Sequence, residues 1–263
     1  TLNTSSGMGE WQKVTAVHVY DYKGPMHLVD GDGLGMLMTP NHRVLHKLRD
    51  RNQAYRYTEA SKFEDSNTPA FIPLTPAYGS EGLNVARESL VALGKMLATP
   101  AALNIRDRDA LREGFGLTTF DQMPTSAWDL SPQQIAVVAE EAARSKTSDG
   151  AGFLFAFADR TPELNYAIGC AAQGLFTMAG YTTYMYKDAT EAFSFTARPQ
   201  GYERLQGGFD KNTLVIPDYE GKVWCISVPN SNFLAHRQGQ PFFTGNSRVS
   251  RALKDGGIAN EAL

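Results

Sequence analysis

The sequence predicts a mainly β domain interrupted by an α-rich α+β insert. Three observations carry that expectation. Short runs of strand formers broken by turn residues fill the first part of the chain, helical periodicity with start and stop signals fills the middle, and strand-forming runs return near the end. A β–insert–β order is what results when one domain sits in a surface loop of another. The expected boundaries are 1–74 for the first part of the β domain, 75–206 for the insert, 207–246 for the second β part, and 247–263 for a polar tail without a clear element.

The elements follow in order. Val14, Ala16, Val17, Val19 and Tyr20 favour a strand, and Lys23-Gly24-Pro25 reads as a turn. Residues 26–29 then read as a strand. Asp30-Gly31-Asp32-Gly33 reads as a hairpin turn leading into residues 34–38. In the insert, Ser131-Pro132 and Thr161-Pro162 each look like a helix N-cap with proline at the first helical position. Ile135, Val138, Ala139 and Ala142 keep helical spacing, as do Leu164, Ile168, Ala171, Ala172 and Leu175, and Gly180 sits where a helix stop belongs. Residues 153–158 read as a strand between these helices. Residues 214–216 and 223–228 read as two strands separated by Pro217 and Glu220-Gly221.

Composition narrows the function. At 263 residues and 42% hydrophobic content the chain can bury one large core or two small ones. No apolar run approaches the roughly 20 residues that span a bilayer. Residues 1–9 are polar and small, unlike a signal peptide. A net charge of −3 speaks against nucleic-acid or membrane binding. The two cysteines, Cys170 and Cys225, lack metal-ligand spacing and suit a reducing cytosol, so a cytoplasmic location is expected.

Three motifs carry chemistry. In Thr39-Pro40-Asn41-His42, a Thr and a His three residues apart at a strand end can address one backbone amide, the imidazole moving a proton and the hydroxyl holding the carbonyl. The same four residues also make an ordinary turn. In Asn246-Ser247, the Asn amide can attack its own carbonyl and cut the chain, while the Ser hydroxyl can hold an acyl group. Cys225, in Val223-Trp224-Cys225-Ile226-Ser227-Val228-Pro229, is either a nucleophile or proton relay, or a buried structural thiol.

The order of these motifs, with Asn232-Phe233-Leu234-Ala235 and Phe242-Phe243-Thr244-Gly245 between them, resembles the intein (Hint) family over residues 11–60 and 214–247. The resemblance implies a mainly β Hint splicing domain. Thr39 and His42 look like its T-x-x-H block, residues 222–235 like its V-Y-[DC]…N-F-x-A block, and Asn246 and Ser247 like the terminal Asn and the first host residue. It implies acyl transfer to Ser247, Asn246 cyclisation and peptide ligation, with no cofactor and no metal. Family members begin with Cys or Ser, whereas this chain opens at Thr1. The expectation is an early-split intein, acting in trans with an N-terminal intein fragment and its extein, and carrying a host-protein segment at its end; a truncated piece of an intein would read the same. The family's penultimate His is Gly245 here, and Ser231 stands near the place of its His before N-F. His236 and Cys225 are the candidates to assist cyclisation, with a solvated surface residue as the other reading of His236. Cys225 and Thr244 also fit two members of a Trp/Cys/Thr triplet in which the Cys attacks first, but Val44 stands at the Trp position.

The insert resembles a degenerate LAGLIDADG homing endonuclease. Residues 93–100 look like its first motif, with Thr99-Pro100 where Asp-Gly belongs. The stretch from Pro124 through Ser131-Pro132 to Ser148-Asp149-Gly150 looks like the lead-in to the second motif helix. Asp149 fits a residual metal-binding acid, or a turn residue. Residues 83–200 carry 10 Lys and Arg against 13 Asp and Glu, a net of −3. A duplex binder needs the opposite sign, so DNA cleavage is not expected and DNA binding is unlikely. The other two readings are an active endonuclease and a non-catalytic β-domain.

Overall fold

A computed structural model describes residues 1–31, 34–48, 52–63, 69–76, 79–143, 153–157, 161–187, 193–198, 202–205, 213–237 and 239–246. The described elements begin with β1 (Ala16–Gly31), β2 (Leu34–Met38), β3 (Arg43–Leu48), β4 (Arg56–Glu59) and β5 (Ala70–Pro73). Next come α1 (Arg87–Ala98), α2 (Ile105–Phe115), α3 (Pro132–Ala143), β6 (Phe153–Phe157) and α4 (Pro162–Met178). The described elements close with β7 (Thr182–Lys187), β8 (Phe193–Arg198), β9 (Tyr202–Leu205), β10 (Thr213–Ser227), β11 (Asn232–Arg237) and β12 (Gln240–Gly245). Two compact units result: residues 1–73 with 202–237 and 242–263, and residues 74–201 with 238–241.

The first unit is built of strands. Its sheets run β10-β1-β2, β4-β3-β5-β9 and β11-β12. The turns expected at Lys23-Gly24-Pro25 and around Pro217 do not form. β1 and β10 instead run on as one long antiparallel ribbon, with Gly24 opposite Tyr219 and Met26 opposite Ile216. Pro25 therefore faces both Pro217 and Asp218, one residue against two, which is a β-bulge. A proline has no N–H to give to a ladder, so a bulge is one of the few places inside a strand that accept it. Two prolines gathered at one irregularity leave both strands unbroken.

Leu2, Leu45 and Phe243 are fully buried together, with Tyr57 and Leu234 packed on them. Each such side chain contributes about 1.5–3 kcal/mol by leaving water. Buried Asn232 fastens the start of the chain to this cluster. Its Oδ1 accepts from Leu2 N at 2.7 Å and its Nδ2 donates to Leu2 O at 2.8 Å.

The second unit packs helices with the sheet β6-β8-β7. α1 and α3 approach so closely that a Cβ on Gly94 would lie 2.6 Å from Val138 O. The capping signals act as read. Ser131 Oγ accepts from Gln134 N, Thr161 Oγ1 accepts from Leu164 N, and Gly180 adopts φ +94° just after α4. α2 carries a full capping box between Asn104 and Asp107 and ends on left-handed Gly116. Leu93, Met96, Leu97, Ile135, Val138, Ala142, Leu175 and Phe176 belong to one buried cluster. No helix among the described residues is long and apolar enough to cross a membrane.

Candidate active site

The T-x-x-H segment is a β-turn: His42 N donates to Thr39 O at 3.0 Å, with Pro40 at the position where its fixed φ is favoured. Two further bonds hold it, from Ala60 N to His42 O and from Ser61 N to Pro40 O. Thr39 Oγ1 donates to Asn41 Oδ1 at 2.8 Å, so this hydroxyl stabilises the turn. The turn delivers His42 to β12, two hundred residues away, where His42 Nε2 lies 2.6 Å from Thr244 Oγ1. Burial, with Arg43 alongside, pushes the His42 pKa down to about 4. The imidazole is therefore neutral at pH 7 and able to take a proton from a hydroxyl or thiol.

Asn246 directly follows β12. Its N–H donates to Ser231 O at 2.9 Å, and its own carbonyl accepts from Arg43 Nε at 2.9 Å. Its Oδ1 is buried and takes no hydrogen bond from the described residues. Ser231 is the non-glycine residue at positive φ among the described residues, +56°. It closes a turn that begins at Val228, whose carbonyl accepts Ser231 N–H at 3.0 Å. Such a backbone state costs about 1–3 kcal/mol and persists only where surrounding structure holds it.

A mostly apolar cavity of about 460 Å³ adjoins this centre, lined among others by Thr39, His42, Cys225, Phe233, His236 and Thr244. Cys225 is buried against Val228 and Phe233, and its Sγ approaches Ile226 O at 3.6 Å. Partial desolvation lowers the pKa of His236. The structure thus gathers Thr39, His42, Cys225, His236 and Thr244 about one cavity, and ties Asn246 to it through Arg43. Ser247 and Asp149 lie outside the described residues. Among the described residues no group of three or more His, Cys, Asp or Glu could hold a metal ion.

Sequence reasoning missed Arg43, Tyr57 and the conformation of Ser231. Arg43 follows His42 directly, and the alternation of β3 was the signal that it faces away from Val44. Nothing in the sequence marks position 231 as left-handed, since serine rarely adopts that state.

No protein-family model matches the chain. Over 62 residues it is 39% identical to an ATP-dependent Clp protease proteolytic subunit from Chlamydomonas moewusii. The match covers 23% of this chain and only 6% of the length of that curated relative.

Proposed function

We propose that the chain is the C-terminal part of a protein-splicing element which releases its own tail at Asn246. The observation that carries this reading is the bond from Arg43 Nε to Asn246 O, the carbonyl that the Asn side chain would attack. In that step the Nδ2–C bond forms, the C–N bond to residue 247 breaks, and one Nδ2 proton ends on the released amine. The carbonyl oxygen gains negative charge on the way. A guanidinium donor already aimed at it is worth two or three orders of magnitude in rate by analogy with a lost oxyanion donor. Neutral His42 serves the earlier acyl transfers, taking the proton of the attacking nucleophile and returning it to the departing amide nitrogen. An N-terminal fragment bearing Cys or Ser supplies the first nucleophile in trans, and Ser247 takes the acyl group before Asn246 cyclises.

One cavity holding Cys225, His42 and Thr244 supports a variant in which the Cys225 thiol attacks first. The insert is proposed to be a degenerate LAGLIDADG-like unit without cleavage activity. The close packing of α1 on α3 at Gly94 supports it, and Thr99, at the C-terminal end of α1, has no carboxylate.

The test is incubation of the chain with a synthetic upstream fragment beginning with Cys or Ser, read by mass spectrometry. Ligated product and free excised element are expected, and Asn246→Ala should abolish release of residues 247–263. Continued release from that variant would remove cyclisation from the account.

A further inference from the structure

We infer that Tyr57 is a positioning residue for cleavage at Asn246: its ring holds Arg43 on the reacting carbonyl and fills the space that a side chain at position 245 would need. The inference rests on the splicing reading above.

The β3–β4 register sets Leu45 opposite Tyr57, which makes Arg43 and Tyr57 diagonal neighbours on one face of the pair. Aromatic and long side chains meet at that separation. The Arg43 guanidinium lies 4.9 Å from the centre of the Tyr57 ring while its Nε donates to Asn246 O at 2.9 Å. Arginine has many rotamers and five N–H donors, so a single bond does not fix its aim. A stacked ring removes most of that freedom. The ring is itself held at its tip. Tyr57 Oη accepts from Asn232 Nδ2 at 3.0 Å and donates to Asn230 O at 3.3 Å. Asn232 in turn is buried and bonded to the Leu2 backbone.

The same ring accounts for Gly245. A Cβ there would lie 2.5 Å from Arg43 O and 2.9 and 3.0 Å from Tyr57 Cδ1 and Cε1. Distances below 3.0 Å force movement, and here one neighbour is backbone and the other a ring fixed at both ends. The penultimate position, where the resembled family carries histidine, is thus closed. Placing histidine there would push Arg43 off the carbonyl rather than add a donor to it.

The experiment follows release of residues 247–263 from the full chain with its upstream fragment, with thermal melting as the control for folding. Tyr57→Phe keeps the ring and should release at close to the parent rate. Tyr57→Leu, Arg43→Gln and Gly245→Ala should each slow release at least tenfold. The double variant Tyr57→Leu/Arg43→Gln should be no slower than Arg43→Gln alone, because the ring acts through the guanidinium. Added guanidinium ion should restore Arg43→Ala only where the Tyr57 ring is present. Parent-like release from Tyr57→Leu, a double variant as slow as the product of the singles, or rescue without the ring would overturn the inference. Asn246→Ala run in parallel separates the two claims. If it still releases, the splicing reading fails; if it is inert while Tyr57→Leu is normal, only the Tyr57 role fails.

Discussion

His42 is held neutral by the fold, at a cost in stability as the pH falls. Its side chain is partly buried beside Arg43, and desolvation with that neighbouring charge lowers its pKa from 6.5 to about 4. His46, buried beside Arg56, falls to about 4 as well. In the unfolded chain both take a proton near pH 6.5, whereas in the fold they resist it until about pH 4. The unfolded state therefore binds more protons across that window, and stability present above pH 6.5 is lost as pH falls toward 4. A shift of this size is worth about 3 kcal/mol per histidine at its full extent. Denaturant titrations at several pH values should show the midpoint dropping between pH 6.5 and 4.5, and His42→Asn should flatten that slope. An unchanged slope in a His42→Asn/His46→Asn double variant would assign the effect elsewhere. The partner of His42 gives a second check. Thr244→Val leaves Nε2 without its 2.6 Å hydroxyl and should slow ligation with the upstream fragment about tenfold or more, while Thr244→Ser should not.

Gly94 poses a question of magnitude at the level of the helix. In an exposed helix interior, Gly→Ala stabilises by about 1 kcal/mol. In α1 the added methyl would meet Val138 O at 2.6 Å and Glu141 Cβ at 2.8 Å, and overpacking costs about 1–3 kcal/mol. The clash is against backbone, which cannot turn aside, so overpacking outweighs the gain in helix propensity. Gly94→Ala should lower the melting temperature of the second unit, and a rise would mean that α1 and α3 can separate without loss. α3 and α4 were legible from sequence, because the caps Ser131-Pro132 and Thr161-Pro162 act within one turn of chain, whereas α1 follows Ala86 with no side-chain cap to announce it. The β1–β10 ribbon was not. Gly24-Pro25 and Pro217 are each turn signals locally, and only pairing across nearly two hundred residues turns them into a single bulge. The site divides in the same way. Thr39, His42 and Asn246 stand out by residue type and spacing, and Thr244 only through the family resemblance. Arg43 and Tyr57 emerge only once the strand register is known, since neither lies in a motif that its own neighbours define.

The insertion is most informative for the molecule as a whole at its ends. β5 and β9 pair antiparallel, with Pro73 directly opposite Tyr202. Directly opposed residues of an antiparallel pair lie about 4.5–5.5 Å apart at Cα, a gap that a two-residue turn closes. Residues 74–201 therefore enter and leave through neighbouring positions of one potential hairpin. The strands of the first unit need no residue from that stretch to complete β4-β3-β5-β9 or β10-β1-β2. Residues 238–241 group with the second unit, where Gly239 O accepts from Gln173 Nε2 and Met185 N, both 2.7 Å. Without residues 74–201 that carbonyl loses both donors, a net of about 1 kcal/mol for each bond where water takes their place. Replacing residues 74–201 by Asn-Gly should leave a shorter chain that melts cooperatively and still releases residues 247–263 when Asn246 is intact. A shortened chain that folds but no longer releases its tail would place part of the reacting centre in the second unit, and Arg43 would then be an insufficient account of how Asn246 is activated.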